Sequence, residues 1–243
     1  MVSNRYKIAD RVVEIHSLYY EVHTYCAGYQ TDETAEYSVT VSQEDIAFER
    51  EKSACEDKLQ GIPARHFPDS YLEKLAVYRK IAEQMTAFDT ILFHGSCIAV
   101  DGMGYLFTAK SGTGKSTHTQ LWREYFGDRA VMVNDDKPLI HIGANDVTVY
   151  GTPYNGKHRL GNNLAVPLKA ICILTRADEN HIEPLSAQQA YPMLVQQVYR
   201  SADRVKMMKT LRLIDTLTGQ VSFYRLGCNM NLSAAKVAFE GMQ

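Results

Sequence analysis

A short glycine-rich stretch constrains the fold of this chain more strongly than any other part of its sequence. It runs from Ala109 to Thr117 and reads AKSGTGKST. The apolar run 105–108 precedes it, and a helical pattern over 118–126 follows it. A strand, a glycine-rich turn and a helix in this order form the setting of a phosphate-binding loop. The alternative is a chance flexible turn, which a Gly-Lys-Ser-Thr run at such a junction disfavours.

Each residue type in this stretch has its own task in phosphate binding. Gly112 and Gly114 let consecutive backbone N–H groups turn inward as an anion nest, and the helix start adds unpaired donors. Lys115 would reach the outer phosphates, and the Ser116 hydroxyl would hold Mg²⁺. Ala109 stands where the pattern G-x-x-x-x-G-K-[ST] has its first glycine. The predicted nucleotide-binding residues are Ser111, Gly112, Thr113, Gly114, Lys115, Ser116 and Thr117.

Composition narrows the class of protein. A chain of 243 residues, 45% of them hydrophobic, can bury the core of one large or two small domains. The net charge of −2 argues against a nucleic-acid partner. Five widely spaced cysteines without a C-x-x-C pair argue against a disulfide framework or a zinc site. We see no signal peptide, and the apolar run 90–100 is too short to span a bilayer, so we expect a soluble, cytoplasmic protein without a membrane partner.

The first 68 residues are expected to form a small β-rich region. The runs 11–16, 19–25 and 37–41 have strand composition and predict a small antiparallel sheet, whereas residues 44–68 are charged and irregular. A helix should begin at Asp69 or Ser70, with Glu73 completing a Ser-x-x-Glu capping box. The second domain, which contains the glycine-rich loop, is placed at residues 69–243, and no Gly/Ser linker marks the boundary.

The strand in front of the loop belongs to a hairpin. Residues 98–100 and 105–108 are apolar, and the turn sequence Asp-Gly-Met-Gly joins them. In a doubly wound parallel sheet, a helix would separate neighbouring strands. The pattern therefore predicts an α/β fold with a mixed sheet.

Two acidic residues follow the next buried strand. Asp135 and Asp136 come directly after the apolar run 130–133. A carboxylate at a strand end behind such a loop is what a nucleoside triphosphatase uses to hold Mg²⁺. The alternative is a plain turn before Lys137 and Pro138.

A polar, glycine-rich segment over 151–163 carries two further candidates. Lys157 and Arg159 are suited to clamp a transferring phosphoryl group. The alternative is a solvated basic loop.

These residues resemble the HPr kinase/phosphorylase group and the related P-loop phosphoenolpyruvate carboxykinases. Order and approximate spacing agree over residues 89–175, and the chain looks most like the compact HPr-kinase-like proteins that some bacteria carry beside peptide-modifying genes. The matching pieces are His94-Gly95-Ser96, the hairpin, the loop 111–117, Asp135-Asp136, and 159–166 leading into a strand.

The resemblance implies a fold and a set of roles. The fold would be a mixed-sheet P-loop core of the HPr kinase/phosphoenolpyruvate carboxykinase type. Asp136 would act as general base on an acceptor hydroxyl, Asp135 would be the Mg²⁺ partner, and His94 would support the base. The alternative role for His94 is that of a buried histidine hydrogen-bonded to its own strand. The chain departs from the family by lacking a counterpart of the glycine-rich signature that supplies a further metal-binding acid, and its first 68 residues do not resemble the regulator's N-terminal domain.

The loop, the acids and the resemblance predict an ATP-dependent kinase. It would transfer the γ-phosphoryl group to a hydroxyl, a serine of a protein or peptide or else a small molecule, with ATP and Mg²⁺. Two other functions stay open: a nucleotide-sensing accessory protein without chemistry, and carboxykinase chemistry on oxaloacetate. The choice among ATP, GTP and pyrophosphate also stays open, as does a homo-oligomer. The candidate catalytic residues are Asp136, Asp135, His94, Arg159 and Lys157, and the candidate metal ligands are Ser116 and Asp135.

Overall fold

The chain is divided into two units at the end of a long helix. The computed structural model describes residues 1–243, and its contacts separate Met1–Gln84 from Met85–Gln243. The boundary expected near residue 68 and the observed division differ by the length of that helix.

The first unit combines a three-stranded sheet with three helices. Strands β1 and β2 are antiparallel, but β3 pairs with β2 in parallel, so the prediction of an antiparallel sheet is wrong for the third strand. A parallel pair needs a crossover between its strands, and the chain between β2 and β3 supplies one that contains α1. The elements are β1 (Val2–Ile8), β2 (Arg11–Ser17), α1 (Glu21–Tyr25), β3 (Tyr37–Thr40), α2 (Gln43–Leu59) and α3 (Asp69–Met85).

Residues 19–25 form a turn and helix α1 instead of the predicted strand. Val22 and His23 are adjacent and both buried, which does not fit the alternation of a strand with one buried face. The ring of His23 also lies 2.8 Å from the Tyr6 hydroxyl and 2.8 Å from the Ser17 hydroxyl. These tertiary contacts outweigh the strand propensity of the local sequence.

Helix α2 occupies most of the segment that looked irregular in the sequence, so that prediction is wrong. Ser42 and Asp45 close its N-terminus as a capping box. Its buried side chains include Glu49 beside Ile46, so the helix lacks an apolar stripe that a sequence pattern would reveal. Arg79 of α3 holds it instead, donating to Glu49 at 2.6 Å and to Asp45 at 3.1 Å.

Removing the Arg79 guanidinium should therefore destabilise the first unit. Glu49 is 3% exposed, and Arg79→Ala leaves its carboxylate buried without this cation. Loss of one partner of a buried ion pair costs about 3–5 kcal/mol, and we expect about 2–3 kcal/mol here because Arg79 keeps some solvent contact. Urea unfolding followed by circular dichroism measures the loss.

The matched control for Arg79→Ala is Lys52→Ala. The Lys52 ammonium lies 3.9 Å from the same Glu49 carboxylate but is 47% exposed. Such exposed pairs contribute less than about 1 kcal/mol. Equal destabilisation by the two variants would contradict the role given to Arg79.

Helix α3 is fixed to the first unit by a buried carboxylate. Glu73 accepts the backbone N–H groups of Leu18 at 2.5 Å and Tyr19 at 2.9 Å, so it serves the end of β2 and not a capping box. Burial raises the pKa of Glu73, and these two hydrogen bonds oppose the rise. These two hydrogen bonds hold α3 against the end of β2.

The second unit contains a nine-stranded mixed sheet with helices around it. None of the helices in the chain combines the length and apolarity that crossing a bilayer requires. The elements are β4 (Thr90–Leu92), β5 (Ser96–Val100), β6 (Met103–Thr108), α4 (Lys115–Phe126), β7 (Ala130–Asn134), β8 (Leu139–Ile142), β9 (Val147–Tyr150), β10 (Ala165–Arg176), β11 (His181–Leu185), α5 (Ala187–Gln197), α6 (Arg204–Thr218), β12 (Ser222–Cys228) and α7 (Ser233–Gly241).

Strand β6 lies inside this sheet and ends at the glycine-rich loop. The strand order is β4-β8-β9-β10-β6-β5-β7, and β12 pairs with β10 and β11. β5 and β6 form an antiparallel hairpin, while β10 runs parallel to β6 on its other side. The predicted hairpin and the predicted mixed sheet are both confirmed.

Alternate residues of β10 belong to two separate apolar cores. Ile171 and Ile173 pack in one core with residues of α5 and α6, such as Leu194 and Ile214. Cys172 and its neighbours pack in the other core, with residues of α4 and α7. A strand covered on both faces reads as a continuous apolar run, as β10 does in the sequence.

Candidate functional site

The glycine-rich loop connects β6 to α4 through backbone conformations that favour glycine. Gly112 has φ of 76° and Gly114 has φ of 116°, both in the left-handed region. Helix α4 begins at Lys115, and the His118 N–H already bonds to the Gly114 carbonyl. The N–H groups of the first helical turn before it have no partner within the helix. They are the donors that an anion at this end of α4 would use.

Ala109 departs from the sequence pattern without straining the loop. It is fully buried and packs in the core that also contains Phe107 and Trp122. It is not among the residues with positive φ. The position therefore does not need the conformational freedom of glycine here.

Lys115 shares one site with the acid pair. It is half-buried, and burial lowers the pKa of its ammonium. The carboxylates of Asp136 and Asp135 oppose this shift, while the positive charge of Lys137 adds to it. The fold thus brings the loop lysine into electrostatic range of both aspartates.

Asp135 is linked to the first turn of α4 by buried hydroxyls. It is 6% exposed, and its Oδ1 accepts a 2.7 Å hydrogen bond from Ser96. The Ser96 hydroxyl lies 3.1 Å from that of Thr119, which in turn donates to the carbonyl of Ser116 at 3.2 Å. This chain of contacts fixes the acid relative to the loop residues.

Asp136 is surrounded by cationic and hydrogen-bonding groups. Its Oδ1 lies 3.4 Å from His94 Nε2, and Lys137 forms an ion pair with its Oδ2. Burial alone would raise the pKa of Asp136, but His94 and Lys137 outweigh it and lower the pKa to about 2. The His94 side chain is 38% exposed. It is therefore not a buried histidine hydrogen-bonded to its own strand, which was the alternative.

An asparagine holds the backbone of the acid pair. Asn134 Oδ1 accepts the N–H groups of Asp136 at 2.9 Å and Lys137 at 2.7 Å. The Asp136 carbonyl accepts the N–H of Gly95 at 3.0 Å, which ties the His94-Gly95 pair to the same turn. The segment is therefore a turn that holds the two carboxylates in fixed places.

The polar segment 151–163 lies against the acid pair at Gly156. Gly156 has φ of 77°, and a Cβ placed on it would come 3.4 Å from Asp136 Cβ and 3.5 Å from Asp135 Oδ2. Lys157 and Arg159 are exposed on the same segment. The fold thus brings together Lys115, His94 and the two aspartates, and leaves the predicted basic clamp at the surface.

A family model described as "ScmC: SynChlorMet cassette protein ScmC" matches residues 71–230, about two thirds of the chain. The chain belongs to the ScmC family. The matched residues include the loop, the acid pair and the segment 151–163.

No curated protein matches the sequence. The structure of the Hpr(Ser) kinase/phosphatase from Coxiella burnetii is similar at 11% sequence identity and a TM-score of 0.35, over 62% of this chain and 95% of that chain.

Sequence reasoning missed several residues of the site in this ScmC-family protein. Ser96 and Lys137 contact the two aspartates, and Arg176 donates to the Gly112 carbonyl of the loop at 2.8 Å. Asn134 had a usable signal, because an asparagine at the end of a strand often caps the following turn. Arg176 had none, since its contact depends on the pairing of β10 with β6.

The low pKa of Asp136 predicts a pH dependence of stability. An unfolded aspartate has a pKa of about 3.9. Because the folded pKa is lower, at about 2, the stabilisation is complete above about pH 4 and is lost as the pH falls towards 2. The stability difference between wild type and Asp136→Asn should shrink by about 1–2 kcal/mol from pH 6 to pH 2, measured by urea unfolding.

Asp128→Asn provides the control for this titration. Asp128 is an exposed residue of the 3₁₀ helix Gly127–Arg129. Because this side chain is exposed, Asp128→Asn should change the free energy of unfolding by less than about 0.5 kcal/mol. A constant difference for Asp136→Asn would show that this carboxyl ionises as it does in the unfolded chain.

Proposed function

We propose that this ScmC-family protein is an ATP-dependent kinase that transfers the γ-phosphoryl group to a hydroxyl, preferably of a serine in a protein or peptide. One observation carries the proposal: Lys115 at the start of α4 is in electrostatic range of Asp135 and Asp136, and His94 lies 3.4 Å from Asp136. A phosphate-binding lysine beside a hydrogen-bonded carboxylate is the minimum arrangement for phosphoryl transfer. The mixed sheet with a hairpin strand before the loop supports a P-loop core of the HPr kinase type.

The loop would bind the β- and γ-phosphates. Its left-handed glycines turn backbone N–H groups towards an anion, and the positive end of the α4 dipole favours negative charge. Lys115 would contact the outer phosphates. Its pKa, lowered by burial, would rise again beside a triphosphate, because an anion stabilises the charged ammonium.

Ser116 and Asp135 fit a Mg²⁺ ion bound to the triphosphate. Ser116 is exposed in the first turn of α4, and Asp135 has one oxygen engaged by Ser96 and a second facing the Gly156 backbone. The chain has no cluster of three or more His, Cys, Asp or Glu side chains that could hold a metal. Mg²⁺ usually takes one or two carboxylates and completes its shell with phosphate and water oxygens, so two protein ligands suffice. The ion would neutralise charge on the phosphates.

Asp136 would accept the proton of the acceptor hydroxyl. A pKa of about 2 makes it a weak base. In a loose phosphoryl-transfer transition state the group has little covalent chemistry to do, so the carboxylate acts mainly by orienting the hydroxyl. His94 and Lys137 keep it ionised, and movement of Lys137 towards the phosphates would raise its basicity.

Lys157 and Arg159 would stabilise the equatorial oxygens of the transferring group. They lie in the segment whose Gly156 approaches the acid pair, which places this segment next to the proposed phosphate site. Loss of a donor that stabilises transition-state charge costs about 10²–10³-fold in rate. Arg159→Ala should show a loss of this size in single-turnover transfer with little change in ATP affinity, and an unchanged rate would remove Arg159 from the mechanism.

Transfer of radiolabel from [γ-³²P]ATP tests the proposal. Purified protein is incubated with MgATP and serine-containing peptides, and labelled peptide and released phosphate are measured separately. Phosphoserine formation supports the kinase. Tight ATP binding with neither transfer nor hydrolysis would favour the nucleotide sensor.

A further inference from the structure

A cavity of about 500 Å³ opens beside the glycine-rich loop. Gly112 and Thr117 form one side of it, and the ends of β10 and β12 form the other. Neither aspartate of the acid pair lines it. Its volume lies within the roughly 300–1,000 Å³ of small-molecule sites. The cavity and the acid pair therefore approach the loop from different sides.

The cavity offers apolar surface and one planar cation. Leu121, Ala177 and Met230 contribute apolar side chains. Arg176 also lines it, and its guanidinium is held by the 2.8 Å bond to the Gly112 carbonyl. A guanidinium plane stacks well on aromatic rings, and apolar side chains suit the two faces of a flat heterocycle.

His118, one of the residues that line this cavity, has a buried ring nitrogen without a hydrogen-bond partner. It lines the cavity and is 2% exposed. The Trp122 indole N–H, which can only donate, bonds to His118 Nε2 at 3.0 Å, so Nε2 carries no proton. With Nε2 accepting this hydrogen bond, the ring proton lies on Nδ1. That Nδ1 has no hydrogen-bond partner in the protein.

We propose that this cavity binds the nucleoside half of a nucleotide whose phosphates lie in the loop. The inference rests on the proposed function and sharpens it, because it makes the ligand a nucleoside triphosphate and not inorganic pyrophosphate or tripolyphosphate. Thr113, Gly114 and Thr117 line the cavity and belong to the loop, so one molecule spans both places. The acceptor hydroxyl must then enter from the side of Asp136.

Filling the cavity tests this assignment. Ala177 is half-buried, and its N–H bonds to the Cys228 carbonyl, a contact that Ala177→Phe retains while its ring occupies the cavity. Ala187→Phe, at an exposed first-turn position of α5, is the matched control. Binding of MgATP and of magnesium tripolyphosphate is measured by calorimetry for each protein. Wild type should bind MgATP at least about 10-fold more tightly, and Ala177→Phe should remove this margin without weakening tripolyphosphate.

A second variant guards against misfolding of the first. Met230 is 79% exposed, so Met230→Ala removes apolar wall with little effect on the core. We expect MgATP binding to weaken about 3-fold and tripolyphosphate binding to stay unchanged.

The outcomes separate the two proposals. If wild type binds tripolyphosphate as tightly as MgATP, the nucleoside assignment is overturned while the phosphate site stands. The assignment is also overturned if both folded variants keep the full preference for MgATP. If neither ligand binds wild type, the proposed function fails and the nucleoside site fails with it.

Discussion

Asp136→Asn should abolish phosphoryl transfer while leaving MgATP affinity within about 3-fold of wild type. The substitution keeps the shape of the side chain and the backbone bonds of the turn, but it removes the charge that would receive the hydroxyl proton. General-base groups typically contribute about 10²–10⁴-fold, and we expect a loss in this range for transfer in a single turnover. The measurement is radiolabel on the acceptor under saturating MgATP.

The control for Asp136→Asn is the same substitution at a position outside the site. Asp128→Asn, at the exposed 3₁₀ helix, makes the same change away from the loop. It should transfer phosphate at the wild-type rate. Retained transfer by Asp136→Asn would remove this carboxylate from the base role and leave Asp135 as the remaining candidate.

Lys115→Met should remove nucleotide binding itself. The Lys115 ammonium is the half-buried positive charge at the start of α4, and a bound triphosphate would have no other lysine in the first helical turn to offset its charge. Charge-assisted hydrogen bonds of this kind contribute about 1.5–3 kcal/mol, so MgATP affinity should fall by about 10–100-fold. Titration calorimetry with MgATP measures the change.

Lys110→Met is the matched control in the same loop. Lys110 is exposed, and its carbonyl, which the variant retains, accepts the Thr113 N–H and hydroxyl. MgATP affinity should change by less than about 3-fold. Equal losses for the two lysines would mean that general positive charge and not a specific contact drives binding, which would contradict the site.

These predictions depend on features that local sequence already indicated. The two glycines adopt left-handed conformations because few other residues do so without strain, and the hairpin turn and the strand before the acids follow from patterns within a few residues. Local rules of this kind were sufficient to predict the loop, the mixed sheet and the positions of the two aspartates at the end of β7.

The first unit was harder to predict for physical reasons. Helix α2 is held by Arg79 and not by an apolar stripe, so its sequence shows no helical period. The run 19–25 has the composition of a strand, but it forms helix α1, from which His23 contacts Tyr6 and Ser17. Both cases depend on side chains that are distant in sequence.

The sequence by itself determined the loop conformation, the hairpin and the presence of a carboxylate pair, because each depends on dihedral preferences and periodicity within one element. Only the tertiary structure decided which groups meet. It placed Ser96 on Asp135, His94 and Lys137 on Asp136, and Arg176 on the loop. These contacts join different strands and helices, so they are set by strand order and packing, which no local pattern encodes. The cavity beside α4 has the same origin.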